Sequence, residues 1–187
     1  DSVTYMGNSI FNCCTNLKTV SLPEGIHTLG NSFFAHCSSL ETVTIPSTVA
    51  TIESNVFENC FSLTEIIIPE SVTSIGICAF YGCKNLTSVT IYDGGISIGI
   101  GAFYNCTSLE SIKIPDSVTS IGSDAFDCCT SLSSIIIPDS VTSIGSSAFY
   151  GCTSLKTVYY TGTSSQWAKI SIGSYNTPLT NAAKVYN

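Results

Sequence analysis

The chain has no arginine, one methionine, one tryptophan and two histidines, and charged side chains make up only 10% of its 187 residues. An ordinary soluble domain carries roughly 25% charge. Its net charge of −7 argues against a nucleic-acid partner, whose phosphates need lysine and arginine. It argues equally against docking on an anionic membrane. No apolar run approaches the roughly 18 residues that insertion across a bilayer requires. Fourteen glycines and six prolines are too few for a collagen-like or proline-rich disordered chain. No C-x-x-C has zinc-finger spacing, and no phosphate-binding loop, nucleophile elbow or dinucleotide fingerprint occurs. No catalytic residue, metal site or cofactor is nominated. What the sequence does have is hydroxyl: 52 residues are Ser or Thr, so its surface is polar without being charged.

It also repeats. Phe11, Phe34, Phe57, Phe80, Phe103, Phe126 and Phe149 stand 23 residues apart. Three residues after each comes Cys14, Cys37, Cys60, Cys83, Cys106, Cys129 or Cys152, and three further on a leucine, from Leu17 to Leu155. Val20, Val43, Ile66, Val89, Ile112, Ile135 and Val158 keep the same period, as do Leu22, Ile45, Ile68, Ile91, Ile114 and Ile137, with Tyr160 closing the column. Periodicity of this length marks a repeat architecture. One unit cannot bury these side chains alone, but stacking units at about 4.8 Å turns each column into a continuous apolar ladder.

Within a unit, Leu109-Glu-Ser-Ile-Lys-Ile114 ends in the alternation of a half-buried strand. Pro115 removes a donor and stops it, and Pro-Asp-Ser favours a turn. Val118 to Ile121 reads as a second short strand or tight turn, and Ser123 to Cys129 as a loop or a single helical turn.

The pattern L-x-x-[VI]-x-I-P, a turn, V-T-S-I-G, A-F and C-x-x-L resembles the BspA-like leucine-rich repeats of bacterial cell-surface proteins. The likeness covers residues 1–160, about seven units with the first truncated. The segment 161–187, with Val158-Tyr-Tyr-Thr-Gly162, Gln166-Trp-Ala-Lys-Ile170 and Lys184-Val-Tyr186, resembles a C-terminal capping segment of that family. The resemblance implies a right-handed, curved α/β leucine-rich-repeat solenoid, β-rich with short helical turns. It also implies an extracellular or wall-attached location, as part of a larger secreted protein, and adhesion or recognition of a host or neighbouring-cell protein, with a glycan as the alternative.

Two units depart from the pattern. Tyr92-Asp-Gly-Gly95 stands where Pro115-Asp-Ser-Val118 would, so a local distortion is expected, with Ile96 turning inward in place of the missing valine. Glu53 occupies the column of Gly76, Gly99, Gly122 and Gly145, so that position need not be left-handed in every unit. Asp1-Ser-Val-Thr-Tyr-Met-Gly7 aligns with Asp116 to Gly122, so the chain is expected to start in mid-repeat with an apolar edge open to end-to-end association. At the other end Thr163-Ser-Ser-Gln166 is a capping-box pattern opening a short helix, with Trp167 as a lid and 183–186 as a last strand.

Ten cysteines suggest disulfides, but stacked side chains run parallel, with Cβ atoms wider apart than the roughly 3.8 Å of a disulfide. The ladder cysteines are expected to be buried thiols acting as small apolar rungs; Cys13, Cys78 and Cys128 lie off the ladder. Glu24, Glu70, Asp93, Asp116 and Asp139 form an acidic column that would suit either turn hydrogen bonds or hard cations, the first being favoured. His27 and His36 face no nucleophile arrangement, so the chain is not expected to be an enzyme.

Binding candidates lie on two surfaces. On the strand face, Glu65, Ile67, Lys113, Ile136 and Tyr159 vary where other units carry small hydroxyl residues. On the loops, Tyr81, Tyr104 and Tyr150 share one column, interrupted by Glu58 and Asp127. A recognition module, a structural spacer and a carbohydrate-binding module are the three functions these features admit, in that order.

Overall fold

A computed structural model describes residues 3–187; Asp1 and Ser2, part of the aligned N-terminal segment, lie outside the described residues. The chain winds as a parallel β-solenoid of about seven coils. Each coil lays one strand on a front face and one on a back face. In chain order these are β1 (Thr19–Val20), β2 (Thr28–Leu29), β3 (Thr42–Val43), β4 (Thr51–Ile52), β5 (Glu65–Ile68), β6 (Ser74–Ile75), β7 (Ser88–Ile91), β8 (Ser97–Ile98), β9 (Ser111–Lys113), β10 (Ser120–Ile121), β11 (Ser134–Ile137), β12 (Ser143–Ile144) and β13 (Thr157–Tyr160). Odd numbers are front strands. The tail adds α1 (Ser164–Trp167), β14 (Ser171–Ile172), α2 (Thr177–Asn181) and β15 (Ala183–Tyr186). It thus makes one more coil, with β14 on the back sheet and β15 on the front.

The back sheet runs unbroken through seven strands, whereas the front falls into pieces: β1–β3, β5–β7 and β9–β11–β13–β15. Paired residues sit one period apart, as in Ile135↔Ile112 and Ile52↔Ile75. The expected columns meet as ladders. Successive Phe rings from Phe11 to Phe149 stack with centroids 5.0–5.5 Å apart, and all but Phe11 are fully buried. Burying a large apolar side chain contributes roughly 1.5–3 kcal/mol, so several such rungs per coil supply the cohesion.

Pro115 O accepts from Val118 N at 3.1 Å, and the same turn recurs after Pro46, Pro69 and Pro138. The stretch holding each Phe is the loop of the two expected forms. Its turns are closed by bonds such as Cys106 N to Phe103 O, and two residues four apart take positive φ. Asn55 and Asn59, Gly101 and Asn105, and Asp124 and Cys128 are such pairs. Left-handed residues end a right-handed helix, and among the described residues α-helix is confined to the tail. The glycine column has a different cause. Gly76, Gly99, Gly122 and Gly145 are not left-handed; an added Cβ there would lie within 2.8 Å of the preceding coil's backbone. Ile96 is buried, as expected beside Gly95.

Candidate functional site

The front sheet brings three of the five strand-face candidates together. Lys113, Ile136 and Tyr159 lie directly opposite one another on β9, β11 and β13, and Tyr159 is followed by Val185 on β15. Tyr159 is 45% exposed and Val185 47%, while Ile136, flanked on both sides, is half-buried. Val185 escapes the sequence pattern because β15 pairs at a spacing of 26 residues rather than 23. Ile67 is 58% exposed but stands apart, paired with Thr90 on the β5–β7 piece. Glu65 is exposed two residues before it.

The loop column divides similarly. Tyr81 and Tyr104 stack at 5.0 Å and 14° and are half-buried, whereas Tyr150 is exposed and separated from them by Asp127. Asp127 is 7% exposed, and its Oδ1 has no hydrogen-bond partner. Burial holds its carboxyl above the ordinary range, with the carboxylate of Asp124 adding to the effect. The Asp127 charge in turn raises the Tyr104 phenol.

The tail packs against the coil before it. Thr163 caps α1 with the full reciprocal box, and Trp167 packs edge-on against Tyr160 at 5.2 Å. One side chain does what a further coil would do. In each coil the Phe N–H donates to a carbonyl of the next, as Phe126 does to Ala148 O; for Phe149 the acceptor is Asn176 Oδ1 at 2.9 Å. Asn176 Nδ2 donates back to Gly145 O. Lys184 Nζ donates to the carbonyls of Leu179, Thr180 and Ala182 at the end of α2, where a cation suits the exposed carbonyls.

Residues 1–64 and 50–176 match the family described as BspA type leucine rich repeat region, in 6 copies. The chain belongs to the BspA-type leucine-rich repeat family. It is similar to a leucine rich cell surface protein of Faecalibacterium prausnitzii, at 29% identity over 91% of this chain and 67% of that one, with a TM-score of 0.53. It is also similar to the Treponema pallidum leucine rich repeat protein (26%, 90% and 65%, 0.60) and to a Bacteroides ovatus leucine-rich repeat protein (27%, 97% and 58%, 0.55). This chain therefore spans about two thirds or less of those proteins. No curated protein matches it. Leucine-rich repeat solenoids are generally non-catalytic binding scaffolds, and no enzyme family is indicated.

The BspA-type cysteine column is more than a set of apolar rungs. From Cys37 to Cys152 each thiol donates to the carbonyl of the Phe 26 residues earlier, at 3.0–3.2 Å. Burial pushes Cys37 up to about 11 and Cys83 and Cys152 to about 12, so these thiols stay protonated donors. All ten cysteines are free; Cys14, expected as a buried rung, is exposed in the first coil as is Cys13, while Cys78 and Cys128 are half-buried. In the acidic column, Asp93 Oδ1 accepts from Ser117 N of the following coil at 3.2 Å, a bond between coils rather than the bond within its own turn that the sequence suggested. His36 does face a carboxylate, Glu58 of the next coil at 3.9 Å, a neighbour its sequence position does not announce. Among the described residues no group of three or more His, Cys, Asp or Glu gathers as a metal site, and no helix is long and apolar enough to cross a membrane.

Proposed function

We propose that this BspA-type array is a cell-surface recognition module that binds a protein of a host or neighbouring cell through its front sheet. The observation that carries this reading is the row Lys113–Ile136–Tyr159–Val185, held in register across four paired strands. Its apolar residues stand on a sheet that is already ordered, so association loses little conformational freedom. Tyrosine adds contact area at a low entropic cost. A cell-surface setting is supported by the similar F. prausnitzii protein, which is named as one.

A panel of extracellular proteins and glycans, compared between this chain and the triple variant Ile136→Ser, Tyr159→Ser, Val185→Ser, tests the proposal. A protein ligand lost in the variant supports it. Binding that survives moves the site to the tyrosine loops or the tail. The absence of any ligand favours a spacer, a reading helped by the identity of residues 115–122 and 138–145. A glycan ligand would make it the carbohydrate-binding module instead.

A further inference from the structure

The second and third coils are joined at the back and parted at the front. β4 and β6 pair residue for residue, yet no backbone hydrogen bond joins 41–46 to 64–69. One coil later, Thr64 O and Ile68 O accept from Thr87 N and Tyr92 N. Their counterparts Glu41 and Ile45 take no bond across the seam. For Ile45 the reason is chemical, since the residue opposite is Pro69, which has no N–H.

The parting opens a cleft of about 240 Å³ lined by Val43, Thr44, Glu65, Ile67 and Pro69 among others. A second cleft of about 280 Å³ shares Thr44 and includes Glu24. Val43, an inward rung, is half-exposed here, as is Val20 one coil earlier, while Ile66, Val89, Ile112, Ile135 and Val158 are buried. No basic residue lines either cleft, and among the described residues Glu24 and Glu65 have no ion-pair partner. The walls are therefore apolar at depth, with carboxylates, hydroxyls and unbonded carbonyls at the rim.

We infer that this seam receives a lysine or arginine side chain from an extended segment of a protein partner. Such a side chain has the complementary division, a methylene stem for Val43 and Ile67 and a cationic tip that only donates. Carboxylate and carbonyl oxygens at the rim only accept. The site extends the recognition function but uses none of the residues of the Ile136 row, so either can fail alone.

The test follows backbone amides by NMR during titration with Nα-acetyl-arginine amide and Nα-acetyl-lysine amide, with uncharged Nα-acetyl-norleucine amide as the control. Saturable shifts confined to residues 42–46 and 64–68 are expected for a cationic probe and not for norleucine. Glu65→Gln should weaken binding roughly threefold to fivefold, the range of an exposed ion pair. Thr42→Lys, one period before Glu65 in the same column, supplies a tethered competitor and should abolish it. The Ile136 row variant should bind as the parent chain does. No saturable shift, equal response to norleucine, indifference to Glu65→Gln, or loss in the row variant would each overturn the assignment.

Discussion

The back and front sheets are built by the same coils, yet one is continuous and the other is not. On the back, a glycine column lets each coil press against the last, and strands of only two residues hold seven coils together. On the front, the residue ending each strand is proline in five of the seven coils, from Pro23 to Pro138. The exceptions are Tyr92 and Thr161, and these two donate to Ile68 O and Ile137 O. Among the 23-residue coils the four-residue pairings, β5–β7 and β11–β13, are the ones that end on them, and the tail strand β15 pairs over four residues as well. A missing Cβ at the back lets the coils close up, whereas a missing N–H at the front shortens the pairing: the junctions that end on proline either pair over two or three residues, as β1–β3 and β9–β11 do, or part, as β3 and β5 do.

The strongest way to break this contrast is Gly122→Ala. Its Cβ would fall 2.8 Å from the Gly99 backbone, and overpacking of this kind costs about 1–3 kcal/mol. Denaturant unfolding should record that loss, while Ser111→Ala on the front should stay within about 0.5 kcal/mol of the parent. Equal losses would mean that the glycines are not what draws the back together. A smaller effect is expected from exchanging the front residues. Tyr92→Pro should remove the bond to Ile68 O, worth about 1 kcal/mol, and shorten the β5–β7 pairing to the three residues that β9–β11 keeps beside Pro138. Pro69→Thr should supply a donor to Ile45 O and close the existing seam between β3 and β5. Amide hydrogen exchange of the flanking strands reads both, and unchanged protection in Pro69→Thr would sink the proline explanation.

The smallest effect lies on the loops, outside both sheets. Because the folded chain holds the Asp127 proton more tightly than the unfolded chain, this group favours the folded state most at acid pH. That contribution is lost as pH rises from the ordinary value of 3.8 through the raised one. Asp127→Asn should flatten that part of the stability–pH curve without altering exchange in either sheet. A curve of unchanged slope would show the carboxyl to be unperturbed.

The apolar ladders were legible because every rung repeats one residue type at one spacing. The two left-handed columns were not, since their members reach positive φ by different routes: Gly101 lacks a Cβ, Asn55 and Asp124 are short polar side chains, and Ser9 and Cys78 merely tolerate it. The recurring Gly, Asn and Asp in those columns were the available signal. Tyr92-Asp-Gly-Gly95 stood out in the sequence as a fault, but its effect on the preceding coil is a longer strand pairing. For the candidate site, Lys113, Ile136 and Tyr159 share a column and were found together. Val185 was missed because the tail abandons the 23-residue spacing that made the others visible.

Asn176 has a bearing on how such a protein changes length. Every coil asks the next for a carbonyl, and the request is the same at each step, so nothing inside the array counts its members. The amide of Asn176 answers the final request from within the tail. Whole 23-residue coils between Cys37 and Phe149 can therefore be duplicated or deleted without new chemistry at the closing end. Length becomes a free variable of the array, while the Asn176 contact stays a fixed part of it.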